Sequence, residues 1–273
     1  MAYTIKRVSS DFVKSVLPEI LRDIYYNAII IADIIQLYNG CDFYAAFSEG
    51  KVVGLVSYYK DIPFNATGFY MVDPNSIPYI LAFIKQYNKI PNNEPFFGLV
   101  NAQIRDTLEE NDILLSTSTE YRFRYRSTKI KLKKLPVNIR IEKLDAEDIG
   151  EISRVYSTVP AMAWTPKSLL YGPYYGAFDG DKLVAIAGVH FNTKYIAEIG
   201  NVVSMPMYRR LGLARAVTQA VINELYTKDK TLFLCVFTQN IPAIDLYLGM
   251  GFEVTDTSYL CKFSLTSSYS TVF

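Results

Sequence analysis

The sequence predicts an α/β (α+β) protein, and two observations support this class. Apolar and aromatic segments separated by Gly, Asp or Ser turns recur in pairs, which is the pattern of antiparallel hairpins. Elsewhere, an apolar run at residues 199–205 is stopped by Pro206, and apolar residues then recur at helical spacing over residues 213–225. Strands and helices in one chain predict a sheet with helices packed on its faces.

Length and composition indicate a globular protein and exclude several classes. The 273 residues suffice for one large or two ordinary domains, and a hydrophobic content of 50% can form a sizeable core. A net charge of +1 argues against a dedicated nucleic-acid binder. The N-terminus has no apolar signal core, and the longest apolar cluster, residues 28–37, is too short for a membrane span. We therefore expect a cytoplasmic protein with no membrane partner.

The three cysteines predict neither disulfides nor a metal site. Cys41, Cys235 and Cys261 are an odd number at scattered spacing, and the last two lie in apolar segments that predict strands. Such cysteines are typical of reduced core residues. We expect no bound metal.

One hairpin occurs twice in the chain. Residues 43–59 align without a gap on residues 174–190 at an offset of 131, with five identical positions. A chance similarity of two hairpins is the alternative. Extending the same offset places Tyr70 opposite Asn201, with a break and an amphipathic helix following in each copy. This continuation favours an internal duplication.

The turn before the helix at 213–225 is suited to an anion. It contains Arg209, Gly212 and Ala214 in an Arg-x-x-Gly-x-Ala pattern. The two small residues let a ligand approach the main chain, and a helix N-terminus attracts negative charge. A pyrophosphate fits this description.

This turn resembles the Arg/Gln-x-x-Gly-x-Gly/Ala signature of the GNAT (GCN5-related) N-acetyltransferases, which binds the pyrophosphate of acetyl-coenzyme A. A second block, residues 240–253, is similar to the family's Asn-x-x-Ala-x-x-x-Tyr-x-x-x-Gly-Phe signature, with Asn240 and Tyr247 at its polar positions. The resemblance covers residues 137–264 and is greatest to the FR47-like branch. It implies tandem GNAT-like units, each a mixed, mostly antiparallel twisted sheet flanked by helices.

The two units differ in their expected function. At the offset of 131, Arg209, Gly212 and Ala214 fall opposite bulkier residues, namely Pro78, Leu81 and Phe83. We therefore expect residues 1–134 to form a degenerate GNAT-like domain without a cofactor loop, and residues 135–273 to form the acetyl-CoA-binding catalytic domain. Basic and apolar residues alternate over 121–126 and 129–134 near this boundary. This pattern predicts a half-exposed strand, with single-stranded nucleic acid binding as the disfavoured alternative.

The resemblance implies an acetyl-CoA-dependent transfer of an acetyl group to a primary amine of a small molecule or peptide, by a monomer or homodimer without a metal. The residues that it places at the cofactor are Val202, Val203, Ser204, Arg209, Arg210, Leu211, Gly212, Leu213, Ala214, Arg215 and Asn240. An acyl-CoA-binding sensor or scaffold without turnover is the alternative. Acetylation of a protein instead of a small molecule is a third hypothesis.

Two residues are candidates for proton transfer. Tyr247 matches the signature tyrosine that directs a phenol at the cofactor sulfur in the family, although a chain with 22 tyrosines also uses many for packing. Glu198 lies eleven residues before Arg209, where some members carry a general base. A carboxylate beside an apolar strand is expected to have a raised pKa, as a base near neutral pH requires. The alternative for Glu198 is an exposed residue at a strand end.

Three further residues are candidates for the acceptor site. His190 is the single histidine, and its imidazole ordinarily titrates near neutral pH. Trp164 precedes the second hairpin in a region that forms one wall of the acceptor site in the family, and Tyr175 belongs to an aromatic cluster with Tyr171 and Tyr174. A structural role is the alternative for each.

Overall fold

The computed structural model describes residues 2–126, 134–161 and 163–265, and the chain divides into two compact units. Unit 1 contains the residues up to Glu120 and those from Thr257 onward, and unit 2 is Tyr121–Asp256. The sequence predicts a boundary between residues 134 and 135. The division in the structure differs because two long strands, Leu114–Tyr125 and Phe252–Phe263, each contribute residues to both units. The predicted strand at 129–134 lies almost wholly outside the described residues.

Unit 1 is a mixed sheet with helices. Its strands form the order β1-β2-β3-β4-β5-β12-β6, with β4–β5 parallel and with β1–β2, β2–β3, β3–β4 and β5–β12 antiparallel. The element bounds are β1 Thr4–Arg7, α1 Ser10–Ile20, α2 Ala28–Ile35, β2 Cys41–Ser48, β3 Lys51–Tyr59, β4 Asn65–Met71, α3 Ile77–Tyr87, β5 Phe96–Val100, α4 Ala102–Glu110, β6 Leu114–Tyr125 and, at the other end of the chain, β12 Phe252–Phe263.

Unit 2 has a similar sheet in the order β12-β6-β11-β10-β9-β8-β7, with β10–β11 parallel and β7–β8, β8–β9 and β9–β10 antiparallel. The predicted fold class, a mostly antiparallel sheet flanked by helices, is therefore confirmed. The remaining bounds are β7 Ile139–Leu144, α5 Ile149–Thr158, β8 Tyr174–Asp179, β9 Lys182–Asn192, β10 Ile196–Ser204, α6 Leu213–Leu225, β11 Thr231–Phe237 and α7 Ile241–Leu248.

The sheet of unit 2 has an apolar core on each face. On the α6 side, residues such as Val217 and Val221 pack on alternate strand residues that include Ile199 and Leu234. Each such buried aliphatic side chain contributes about 1.5–3 kcal/mol through removal from water. On the α5 side, Tyr174 and neighbouring residues form a second cluster. We call these the α6 face and the α5 face.

The repeated hairpin is confirmed by its register. In β2–β3 a bulge follows Ala46, which pairs with Gly54, and in β8–β9 a bulge follows Ala177, which pairs with Ala185. Both pairs keep the offset of 131 that the sequence predicts. The two hairpins therefore share the same strand register and the same bulge position.

The constant offset fails in the next strand. Met71 pairs with Gly54, whereas Ser204 pairs with Ala185, so the offset between the corresponding strand residues has grown to 133. The cause is two bulges between β9 and β10, since β3 and β4 pair without a register shift. The predicted correspondence of Tyr70 with Asn201 is therefore wrong.

Unit 1 has no loop at the position of residues 209–212, and the alignment that placed Pro78, Leu81 and Phe83 opposite that loop is wrong. In unit 1 the short turn Pro74–Ser76 continues directly into α3 at Ile77. In unit 2 the matching turn, Pro206–Tyr208, is followed by residues 209–212 before α6 begins. Pro78, Leu81 and Phe83 lie within α3 and have no counterpart in the loop.

The alternating arginines of β6 belong to a packed strand. Phe123 is fully buried in the core of the α6 face, and Tyr121 and Tyr125 pack against it. On the other side, the guanidinium group of Arg122 lies 4.9 Å from the ring centre of Phe233, and Arg124 bonds to Thr231. The predicted strand is present, but its predicted half-exposed, charged face is wrong: Arg122 is buried and Arg124 is partly buried, because both arginines lie against residues of β11.

Candidate functional site

The turn between β10 and α6 forms a concave group of backbone donors. Arg210 and Gly212 both have left-handed backbone conformations, with φ of 66° and 84°. α6 begins directly after Gly212, and no side chain caps its first N–H groups. Uncapped amides at a helix start beside left-handed residues are suited to binding an anion. The predicted order of strand, turn and helix is present.

Some side chains of this turn are already engaged. Arg215 Nη1 donates to the carbonyl oxygen of Gly249 at 2.6 Å, which links α6 to the end of α7. Leu213 is buried in the core on the α6 face. Of these two predicted cofactor residues, Leu213 has only main-chain groups to offer a ligand, and the guanidinium of Arg215 is in part committed to α7.

An opening lies between β10 and β11. The parallel pairing described for these strands ends where Glu198 lies beside Phe233. Both strands continue past this point, β10 to Ser204 and β11 to Phe237. Because parallel neighbours normally bond along their shared length, the strands diverge here, and residues 202–204 lie on the strand beside the gap.

Two bulges change the direction of side chains and amides beside this opening. His190 is the extra residue of β9, since Phe191 pairs with Glu198 while Val189 pairs with Ile199. In β10, Asn201 lies in a second bulge and has a left-handed φ of 54°. Bulges next to a strand opening are a common way to direct side chains and amides toward a ligand.

Glu198 and His190 are brought together by the first bulge. Glu198 Oε1 lies 3.4 Å from His190 Nδ1, and the Glu198 side chain is buried while a third of the His190 side chain is exposed. A Cβ added to Gly200 would lie 2.4 Å from His190 Nε2, so the imidazole rests directly on this glycine. Glu198 is thus a buried residue paired with the single histidine, and the alternative of an exposed strand-end glutamate is wrong.

Tyr247 is enclosed by aromatic side chains. It lies on α7, and its ring centre is 6.3 Å from that of Phe123 and 5.7 Å from that of Phe252. Burial raises the pKa of its phenol well above the ordinary value. Tyr247 belongs to the core of the α6 face. Glu198 lies on the α5 face, because its two neighbours in β10 point into the α6-face core and alternate strand residues point to opposite faces. The two candidates can therefore act on one ligand only across the opening.

Asn240 caps a helix. Its Oδ1 accepts a hydrogen bond from the amide of Ala243 at 3.4 Å, at the start of α7. The signature asparagine therefore has a structural use in addition to the cofactor contact that the resemblance implies.

The aromatic candidates for the acceptor site are not all on one face. Trp164 packs against Tyr156 with ring centres 5.0 Å apart, on the α5 face. Tyr175 packs on the α6 face, where its hydroxyl donates to Glu224 at 2.8 Å. Tyr174, the residue beside it, lies on the same face as Trp164, because alternate strand residues point to opposite faces.

The sequence interpretation missed a buried hydrogen-bonded group next to the opening. Asn201 bonds to the side chains of Tyr156 and Tyr174. One signal was available in the repeat, where the residue at the position of Tyr174 in unit 1 is Phe43. The Tyr174 hydroxyl is therefore a polar group that unit 2 has and the matching position of unit 1 lacks.

Two further features bear on the site. Within residues 2–126, 134–161 and 163–265, no group of three or more His, Cys, Asp or Glu side chains is arranged to hold a metal ion. In the same ranges, every helix is too short or too polar to span a lipid bilayer.

The comparisons with known proteins agree with this geometry. A family model described as FR47-like protein matches residues 174–261, and the search of curated proteins found no match. Among solved structures, a tandem GNAT protein from the clavulanic acid biosynthesis pathway is 11% identical, with a TM-score of 0.66 over 97% of this chain and 98% of the other.

Two bacterial structures are similar to the same extent. A GCN5-related N-acetyltransferase-like protein from Streptococcus suis is 14% identical, with a TM-score of 0.63 over 93% of this chain and 100% of the other. A GCN5-related N-acetyltransferase from Sphaerobacter thermophilus is also 14% identical, with a TM-score of 0.63 over 95% of each chain. At sequence identities this low, the structural similarity establishes a shared fold only. The resemblance found in the sequence is thus confirmed: the chain has the fold of the GNAT N-acetyltransferases, with an FR47-like region at residues 174–261.

Proposed function

We propose that this chain is an acetyl-CoA-dependent N-acetyltransferase that transfers an acetyl group to a primary amine of a small molecule or peptide. The observation that carries the proposal is the end of β10–β11 pairing at Glu198, on a strand that leads directly to the uncapped start of α6. A long ligand with an anionic centre and a reactive end can lie along such a strand. Acetyl-CoA has this form.

The residues present fit acetyl-CoA. The left-handed turn at Arg210 and Gly212 supplies free amides for a pyrophosphate, and residues 202–204 lie along the opening, where the pantetheine arm would bind. Asn240 at the start of α7 would bind the arm near its sulfur. When bound, acetyl-CoA supplies an acetyl group activated as a thioester. Unit 1 has no equivalent of the loop, so we assign cofactor binding to unit 2 alone.

Glu198 and His190 are the groups that we propose to accept the proton of the amine. A lysine-type amine has a pKa of about 10.4 and must be neutral to attack. As the new C–N bond forms and the C–S bond breaks, the amine proton passes to Glu198 directly, through His190, or through water. The 3.4 Å pair places a buried carboxylate behind a partly exposed imidazole, an arrangement that can orient a base.

Tyr247 is the group that we propose to stabilise the leaving thiolate. Because burial raises the pKa of its phenol, the hydroxyl keeps its proton and acts mainly as a hydrogen-bond donor. A donor that favours the developing negative charge on sulfur lowers the barrier without full proton transfer.

A binding protein without turnover remains the second candidate function. The observation that favours it is the complete enclosure of Tyr247 by core residues, which is also what a packing tyrosine requires. A sensor would need the loop and the opening but not the Glu198–His190 pair.

Calorimetric titration of the purified protein with acetyl-CoA tests the proposed function. Gly212→Glu places bulk and charge among the loop amides, and we expect it to abolish binding. Gly180→Glu is the matched control, because Gly180 also has a positive φ, of 58°, but lies in the β8–β9 turn with open space around it. The control adds the same charge at a left-handed glycine that lies outside residues 209–212.

The outcomes separate the candidates. Binding that survives in Gly180→Glu and disappears in Gly212→Glu supports the loop assignment. Release of free coenzyme A with some member of a panel of amines then supports an enzyme, whereas tight binding without release for every amine favours the sensor. Wild-type protein that is folded and binds no acyl-CoA contradicts both.

A further inference from the structure

The bulge in β10 is held by buried hydrogen bonds. The phenol of Tyr156 donates to the carbonyl oxygen of Asn201 at 2.7 Å, and Asn201 Nδ2 donates to the phenol oxygen of Tyr174 at 2.8 Å. The Tyr174 hydroxyl in turn donates to the carbonyl oxygen of Val189 at 2.9 Å. These bonds tie the bulge to α5, to β8 and to β9.

The bulge has an unusual backbone that needs such support. Asn201 and Val202 together occupy the space opposite one residue of β9, Ala187. Asn201 is buried and has a left-handed φ of 54°, which asparagine tolerates better than most residues. Its main-chain oxygen, which no longer follows the ladder with β9, finds its partner in Tyr156.

Unit 1 is an internal comparison for this feature. The pair β3–β4 has no bulge, and Phe43 stands at the position of Tyr174, so the hydroxyl is missing. In unit 1 the loop before the following helix is missing as well. The hydroxyl, the bulge and the loop occur together in one copy, and all three are absent from the corresponding described residues of the other.

We propose that Tyr156, Asn201 and Tyr174 form a clamp that sets the course of β10, and thereby the positions of the amides at residues 202–204 that bind the acyl and pantetheine end of acetyl-CoA. The three are positioning residues, since they act through the strand. This inference rests on the proposed function.

The clamp acts on the opening by a simple physical route. A straight β10 would continue its ladder with β11 beyond Glu198, because unpaired backbone groups of neighbouring strands favour pairing. The extra residue at Asn201 rotates the following amides out of that ladder. Loss of a clamp hydrogen bond lets the bulge relax and the opening narrow, while the turn at residues 209–212 keeps its own conformation.

The experiment compares two ligands in single-hydroxyl variants. Tyr156→Phe and Tyr174→Phe each remove one oxygen and keep the ring. Tyr44→Phe is the matched control, because Tyr44 is fully buried in unit 1 and its hydroxyl likewise accepts from an asparagine, Asn88 Nδ2, at 2.8 Å. Each protein is titrated with acetyl-CoA and with 3′-phospho-ADP, the nucleotide and pyrophosphate portion of coenzyme A.

We expect each clamp variant to weaken acetyl-CoA binding about fivefold or more, the effect of one positioned hydrogen bond. The affinity for 3′-phospho-ADP should stay within about twofold of the wild type, because the turn is unchanged. In Tyr44→Phe both affinities should remain as in the wild type, even if its thermal stability falls equally. Asn201→Gly, which keeps the left-handed backbone but loses Nδ2, should behave as Tyr174→Phe.

Other outcomes overturn the inference. If wild type binds acetyl-CoA and both clamp variants bind it equally well, the clamp has no positioning role. Equal weakening of both ligands in the clamp variants, or weakening in Tyr44→Phe as well, indicates a general loss of structure instead. If the folded wild type binds acetyl-CoA no more tightly than 3′-phospho-ADP, the acyl and pantetheine end contributes no affinity and the opening is not the acyl site. If it binds neither ligand, the proposed function itself fails.

Discussion

Asp33 predicts an unusual dependence of stability on pH. It lies in α2, a helix made otherwise of alanine and isoleucine, which packs against β3 and β4 in unit 1. Burial raises the pKa of its carboxyl group to about 7, although hydrogen bonds from Ser57 and Cys41 oppose the rise. The folded protein therefore holds this proton at pH values at which the unfolded chain has lost it.

The sign and the size of the effect follow from linkage. Between pH 4 and pH 7 the unfolded state binds fewer protons than the folded state, so the free energy of unfolding decreases as the pH rises. A rise of the pKa from 3.8 to about 7, at 1.36 kcal/mol per pKa unit, corresponds to about 4 kcal/mol. Asp33→Asn removes the titration. The difference in unfolding free energy between the variant and the wild type should therefore change by about 4 kcal/mol from pH 4 to pH 8, in favour of the variant.

Urea unfolding of both proteins at several pH values is the assay. Asp42→Asn is the control of opposite sign: burial alone would raise the pKa of Asp42, but bonds from Lys60 and Arg7 outweigh burial and lower it. Asp42→Asn should lower the free energy of unfolding at neutral pH. This difference from the wild type should disappear as the pH falls through the lowered pKa of Asp42. A wild type that differs from Asp33→Asn by a constant amount over pH 4–8 would refute the reasoning.

Three further predictions concern unit 2. Tyr247→Phe should lower turnover by about tenfold or more with little change in acetyl-CoA affinity, and equal turnover would reject the role at sulfur. Gly200→Ala should displace the His190 ring, because the new Cβ would lie 2.4 Å from Nε2. Its proton NMR signals, unique in this chain, should shift while turnover falls, whereas Gly150→Ala, with open space around it, should change neither. Asn240→Ala should cost about 1 kcal/mol of stability through loss of the α7 cap, and an unchanged urea midpoint would contradict that assignment.

Elements with strong local signals were predictable from the sequence. The strand, turn and helix around Gly212 follow from apolar spacing and from Pro206, and the structure has them as β10, a short turn and α6. The duplicated hairpin was predictable because the register of two adjacent strands is encoded in their alternation and in the turn between them. These features need no information from distant parts of the chain.

Features that depend on strand pairing were not predictable. A bulge adds a residue without changing the apolar pattern, so a constant offset aligned Tyr70 with Asn201 and placed residues of α3 opposite the loop of unit 2. The same bulges bring His190 to Glu198, which the sequence presents as two unrelated candidates. Trp164 lies in the segment between α5 and β8 and packs on the α5 face, whereas Tyr175 of β8 packs on the α6 face, and this separation is decided by packing.

The C-terminal part of β12 belongs to unit 1, and this has a consequence for synthesis. Val100 pairs with Tyr259 and Phe96 with Phe263, so the sheet of unit 1 is completed by residues translated long after its other strands. During translation one edge of β5 therefore stays unpaired until β12 is made. Unpaired strand edges are prone to associate with other nascent chains. A chaperone that binds extended apolar segments would find its target in Phe96–Val100 until the last strand arrives.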